Sequence, residues 1–386
     1  MFNNIAKYLF NTEAFKLFEK KLNSAGQVDV SGLYGSSRAF FLNYIADKSS
    51  GKIVYFSSDI EKLQKVKEDF EVISDYEHTG IFSDEKTLDS ESITKALSLL
   101  SSEEKFAVFI DSTKIYEKTI SKDKFSDSIV ELRKGEEYLF EELIQKLEEY
   151  NYSKKDFVEE TGDFSVRGGI VDLFPERYDS PLRIEFFGET VDSIREFDIT
   201  TQRSLRMLDV VRISMNISGS EEGKANNTDT VLDYIPKGSI LIFDDIELQG
   251  NFISKELFES LSEGFKLINI LTFDNSGSET VNFRTKPQPD FHSNIKLLED
   301  NITDFANNEY HLFIACSDEY QAKRMRNLIE DYDKENLFEK IKVLSESPHN
   351  GFISPDAKLL FYTEHEIFGR YFRQLKKRKK KFRGIT

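Results

Sequence analysis

The chain has 386 residues and a formal net charge of −17; 39% of the residues are hydrophobic and 13% aromatic. That is enough apolar material for packed cores and excludes global disorder, while no run approaches the ~20 apolar residues a membrane helix needs. Cys316 is the only cysteine, so intrachain disulfides and thiolate zinc sites are excluded, and a cytoplasmic location is expected. Charge is unevenly spread: Arg370 to Thr386 carry nine Lys/Arg and no acid, which leaves −26 on residues 1–369. So acidic a body repels nucleic acid, so DNA affinity is expected only at the basic end. That end, 370–386, reads as a linker at which a fragment of a longer protein stops.

In chain order, apolar spacing predicts a helix over 5–24, a strand over 28–33, a helix over 38–47 and a strand over 53–56. A helix over 59–70 and a strand over 106–110 follow. Buried strands alternating with helices point to a parallel α/β layer up to about residue 120. The pattern then changes. A helix is expected over 136–150, and 163–174, 182–187 and 190–197 read as an antiparallel meander, making 127–212 an α+β insertion. A buried strand returns at 240–243 and a helix begins near Ser254. The expected fold class is therefore α/β: a body from 1–120 and 214–274, the inserted lobe, and a small α/β domain over 290–369 built on strands near 311–314, 341–344 and 359–362.

The turn Gly32-Leu33-Tyr34-Gly35-Ser36-Ser37-Arg38 stands where a phosphate-binding loop belongs, between a strand and a helix. Such a loop needs glycines, a Lys for the outer phosphates and a Ser/Thr for Mg²⁺. The Lys-Ser/Thr pair is missing, and Arg38 does not replace a point-charge lysine. Gly32, Gly35, Ser36, Ser37 and Arg38 thus read as a degenerate, inactive nucleotide loop. Asp244-Asp245, at the position of a metal-holding acid, read as solvated strand-end acids. Glu364-His365-Glu366 reads as a surface turn, and Cys316 as core. No histidine pairs at zinc spacing, and no catalytic set assembles; neither cofactor nor metal is expected.

The informative stretch is Gly162 to Gly188. Alternation along Leu182–Phe187 sends Leu182, Ile184 and Phe186 to the core and Arg183, Glu185 and Phe187 to the other face. Ser165 and Arg167 share a face of the neighbouring strand. An exposed Phe flanked by two arginines has the composition of a protein-binding hot spot, each arginine free to hold a partner carboxylate bidentately. The alternative is that the 136–150 helix covers Phe187.

Phe164-Ser165-Val166-Arg167-Gly168-Gly169-Ile170-Val171-Asp172-Leu173-Phe174-Pro175, Leu182-Arg183-Ile184-Glu185-Phe186-Phe187-Gly188 and Ser193-Ile194-Arg195-Glu196-Phe197-Asp198 together resemble the N-terminal region of the bacterial transcription-repair coupling factors. Tyr362 to Arg370 resembles a further segment of that family. The resemblance implies a degenerate helicase-like body, similar to UvrB, that has lost nucleotide binding and carries an inserted UvrA-recruiting module. It places the UvrA contacts at Arg167, Arg183 and Phe187. It implies a chain that is not itself an enzyme. The ATP-dependent translocase motor would lie beyond Thr386, and RNA polymerase and duplex DNA would be engaged by that further sequence. The alternative is a UvrB-like, nucleotide-dependent helicase or damage-repair module with an atypical phosphate loop.

Overall fold

The computed structural model describes residues 2–83, 90–215, 227–273, 280–332 and 340–370; the basic run from 371 onward lies outside them. Two compact units emerge, one from the described residues of 1–79, 105–112 and 237–376, the other from those of 80–104 and 113–236.

In the first unit six neighbouring strands run parallel in the order Val281–Asn282, Gln27–Ser31, Lys266–Ile270, Ile240–Asp244, Lys52–Ser57 and Phe106–Asp111. Three of them are near-continuous apolar runs rich in β-branched and aromatic residues, the pattern of strands covered on both faces. Lys266–Ile270, between the 27–31 and 240–244 strands, is absent from the sequence reading. Its Lys266 and Asn269 interrupt the apolar run. A second, five-stranded sheet runs in the order Lys286–Pro287, Phe352–Ser354, Leu359–Thr363, His311–Ala315 and Ile341–Leu344.

The helix Ser37–Lys48 joins these two layers. It buries every residue from Ala39 to Ala46 and has no polar face, so it must be covered all round. Phe41 packs against Phe15, Phe18 and Phe283 on one side. Phe40 meets Phe2, Phe352 and Phe361 on the other. This aromatic seam groups residues 290–369 with the body rather than setting them apart.

The second unit centres on a six-stranded sheet in the order Ser204–Leu208, Thr190–Phe197, Leu182–Phe187, Ile170–Leu173, Asp163–Arg167 and Ser153–Lys154. The helix Phe140–Glu149 packs Leu143 and Leu147 into one core with Phe164, Val171, Leu173, Leu182, Ile184 and Ile194. Residues 80–104 fall in this unit, where buried Arg177 pairs with Glu104 and donates to Ser98.

Several boundaries shift for local reasons. The expected 5–24 helix is two, Asn3–Leu9 and Glu13–Ala25. The 136–150 helix begins only at Phe140, because Glu136 accepts from Val191 N–H and Tyr138 donates to the Glu189 carbonyl. The 163–174 run folds into a hairpin at Gly168-Gly169, where Gly168 takes a φ of 60° that favours glycine. Glu364–Ile367 is a short helix with Glu364 and His365 buried, not a surface turn; the apolar anchor Ile367 pulls it into the core. Cys316 is buried, as read. No described helix is long and apolar enough to cross a membrane.

Phe40→Ala is expected to lower the stability of the first unit by about 3–5 kcal/mol, the usual cost of a fully buried Phe truncation. Urea unfolding followed by near-UV aromatic signal measures it, and a loss below about 1 kcal/mol would mean the seam is not a packed core.

Candidate partner-binding site

Strand register sets the site. Asp172 lies directly opposite Arg183 on one neighbour and Ser165 on the other, and Arg183 lies opposite Arg195. Val171, Ile184 and Ile194 form the adjacent row and point to the core. The row Ser165–Asp172–Arg183–Arg195 therefore occupies the sheet face turned away from the helix Phe140–Glu149.

Asp172 organises this face. Its side chain is only 2% exposed, and both oxygens are held by arginine. Arg183 donates Nε to Oδ1 at 2.6 Å and Nη2 to Oδ2 at 2.8 Å, a fork-to-fork pair. Arg167 donates to Oδ2 as well. Arg183 Nη2 also reaches Gln202 at 2.9 Å, and its guanidinium lies over the Phe197 ring at 4.6 Å. The Asp172 hydrogen bonds raise the Arg183 pKa against the opposing effect of burial. Arg167 lies over Phe157, itself an exposed ring, at 5.0 Å. Beside them Glu185 takes Arg195 at 2.5 Å and Ser193 at 2.8 Å.

Phe187 is 84% exposed. The helix does not cover it; Phe186, one residue earlier, packs on Phe140 at a centroid distance of 5.2 Å. A register shift between Glu185 and Phe186 lets the strand end twist while Phe187 still faces water. The three residues singled out from the sequence thus fall on one sheet but not on neighbouring strands: Ile170–Leu173, which carries Asp172, lies between the strand of Arg167 and that of Arg183 and Phe187, so the expected direct adjacency is corrected. The expectation of two free guanidinium forks is corrected: Arg183 and Arg167 are already committed to Asp172. A partner carboxylate would meet preoriented arginines, not loose ones. Asp172 itself carried a signal, an acid within the apolar strand Ile170-Val171-Asp172-Leu173, but only the register reveals its neighbours.

The turn read from the sequence as a degenerate nucleotide loop lies in the first unit. Ser36 and Ser37 begin the helix Ser37–Lys48, and Arg38 turns its guanidinium to Asp244 at 2.6 Å and Tyr55 Oη at 3.1 Å. Lys62 reaches the same carboxylate at 2.7 Å, and Ser57 Oγ at 3.2 Å. Burial opposes the charge on Arg38, but Tyr55 and Asp244 outweigh it and raise its pKa. Burial and Arg38 lower that of Lys62. Asp244 and Asp245 are buried, so their reading as solvated acids is corrected: two cations and a hydroxyl take up the Asp244 carboxylate, and Asp245 accepts from Thr272 N–H at 2.7 Å. Among the described residues no cluster of His, Cys, Asp and Glu could hold a metal ion.

Residues 130–216 match the family described as UvrB interaction domain. The transcription-repair-coupling factor of Staphylococcus aureus strain MRSA252 is 23% identical, over 64% of this chain and 29% of its own length. That of Staphylococcus haemolyticus strain JCSC1435 is 23% identical, over 66% of this chain and 30% of its own length. The chain thus spans about three tenths of the length of the curated relatives it matches. The lobe thus matches the UvrB interaction domain, in a chain similar to the transcription-repair-coupling factors, the family its 164–198 segment resembles.

Proposed function

We propose that the lobe recruits UvrA and that the chain serves transcription-coupled excision repair through this contact rather than through catalysis. The carrying observation is Phe187, a fully presented ring on the strand of Arg183, inside the UvrB interaction domain match. Single exposed apolar residues are common, but Phe187 is the most exposed of the large apolar side chains among the described residues, and a ring so presented on a strand with arginine has the composition of a binding hot spot. The arginine pair favours a partner surface that is acidic around an apolar pocket. Translocation on duplex DNA, ATP use and RNA polymerase binding, in this reading, belong to parts of the relatives that this chain does not match.

Phe187→Ala is the clean probe, because the side chain touches little of its own fold. It is expected to weaken UvrA binding by about 2 kcal/mol or more, roughly 30-fold in Kd, with an unchanged melting temperature. Calorimetric titration of purified UvrA measures it; unchanged affinity in the folded variant would place recruitment elsewhere. Arg183→Glu is expected to cost more affinity, but it also strips Asp172 of its main partner and so lowers stability.

Asp172→Asn tests the preorientation. The partner has almost no access to Asp172, yet its replacement should weaken UvrA binding by freeing both arginines, and should cost about 1–3 kcal/mol of lobe stability. Affinity that stays at the wild-type value would show that the arginines need no orienting.

The nucleotide-dependent helicase reading is disfavoured because Asp244 is neutralised internally. Titration of the chain with Mg-ATP is expected to give no saturable binding in the micromolar range. Saturable, Mg²⁺-dependent binding would restore that reading.

A further inference from the structure

The strand-to-helix turn at Gly35-Ser36-Ser37 presents backbone N–H groups of the kind that hold phosphate in related architectures. In this chain they face protein. Ser36 N–H donates to the Asn350 carbonyl at 3.2 Å, and Asn350 N–H donates back to Ser36 Oγ at 3.3 Å. Gly35, at a φ of 52°, lies so close to Gly351 that a Cβ there would come within 2.6 Å of the Gly351 carbonyl oxygen. The segment Ser347 to Gly351 therefore stands over the turn. Both belong to the first unit.

A polar cluster fastens them. Asp69, on the helix Ile60–Ile73, accepts Ser36 Oγ–H at 2.8 Å through Oδ2. Its Oδ1 accepts the His349 backbone N–H at 2.6 Å and lies 2.7 Å from His349 Nδ1. His349 Nε2 lies 3.2 Å from Glu68. A carboxylate at each ring nitrogen requires both to carry hydrogen, which is the imidazolium. From the other side, the helix Glu364–Ile367 contributes His365, whose Nε2 lies 2.5 Å from the His349 carbonyl, and Glu366, which accepts from Gly351 N–H at 2.6 Å and Asn350 Nδ2 at 2.8 Å. The titratable groups facing His349 are thus Glu68, Asp69, His365 and Glu366. Burial lowers the pKa of His365, which serves neutral as a donor.

We infer that the vestigial phosphate loop is a docking site for the 347–351 segment of this same chain, and that protonated His349 is the latch that holds it. Of the N–H groups that would receive an anion, that of Ser36 is spent on the Asn350 carbonyl, and those of Ser37 and Arg38 on the Tyr34 and Gly35 carbonyls of the turn itself. The five-stranded layer is thereby tied to the body by a charged contact in addition to its aromatic seam. Burial pulls the His349 pKa down, but hydrogen bonds to Asp69 and Glu68 outweigh that and raise it to about 9. A raised histidine contributes stability fully below its ordinary value of 6.5, and that contribution is lost as pH rises to about 9. The latch is independent of whether the lobe binds UvrA.

Hydrogen-exchange mass spectrometry on the full chain tests it, with rates corrected for intrinsic chemistry. In the wild type, protection at 34–38 and 347–351 should fall together between pH 6.5 and 9, while 164–187 keeps its protection. In His349→Gln at pH 7, both segments should exchange roughly tenfold faster or more, with no further pH step. Unchanged protection at 34–38 in the variant, or separate responses of the two segments in the wild type, would overturn the latch. If the variant does not fold, the wild-type titration decides alone: a flat profile at 34–38 and 347–351 overturns it.

Discussion

A helix with no polar face has to be enclosed, and the helix Ser37–Lys48 imposes that condition on the first unit. Its two aromatic sides, Phe40 and Phe41, each need an apolar layer. The parallel sheet and its flanking helix Glu13–Ala25 supply one, the five-stranded sheet the other. Enclosure extends to the turn at the N-terminus of the helix. There the second layer brings the 347–351 segment against Gly35 and Ser36, so the backbone donors of that turn are satisfied by protein. A buried N–H must find an acceptor, and in this geometry the nearest is a carbonyl. The occupation of that turn by protein and the packing of the second layer are thus one structural fact.

The lobe obeys a different constraint. One face of its sheet is committed to the helix Phe140–Glu149, and the other remains accessible to solvent. An antiparallel sheet tolerates such a face when it is polar. Here the face is polar but carries rings: Phe157 and Phe187 are exposed, and Phe197 is covered by the Arg183 guanidinium. The arginines act as caps over aromatic surface as well as charges. That dual use accounts for the presence of Arg rather than Lys, since a planar guanidinium can stack on a ring and engage a carboxylate edge-on at once.

Much of the architecture was legible in the residues. Continuous apolar runs at 53–56, 106–110 and 240–243 identified central strands, and two-residue alternation at 182–187 placed Arg183 and Phe187 on one face. Legibility failed where tertiary context decides. Lys266–Ile270 carries polar residues in a central strand, because Asn269 satisfies its amide by donating to Asp29 at 3.2 Å and accepting from Ile246 N–H at 3.0 Å. Asp244 looks like an exposed strand-end acid until Arg38 and Lys62 converge on it from elsewhere in the chain. The His349 cluster draws on residues 36, 69, 349 and 365, and no local pattern links positions so far apart.

Two buried aspartates show how one chemical problem yields opposite outcomes. Asp172 and Asp244 each lose their hydration, and each is compensated by two cations. A buried carboxylate left with one partner missing is costly, so both clusters resist piecemeal change. They differ in where the cations point. Arg38 and Lys62 converge on Asp244 in the body, and the charge that a metal or phosphate would use is cancelled inside the fold. Arg167 and Arg183 reach Asp172 from the strands on either side of it; Arg167 keeps an accessible edge beside the exposed Phe157 ring, while the more buried Arg183 lies over Phe197. The same acid–arginine pairing therefore cancels charge inside one unit and orients arginines on a sheet face in the other.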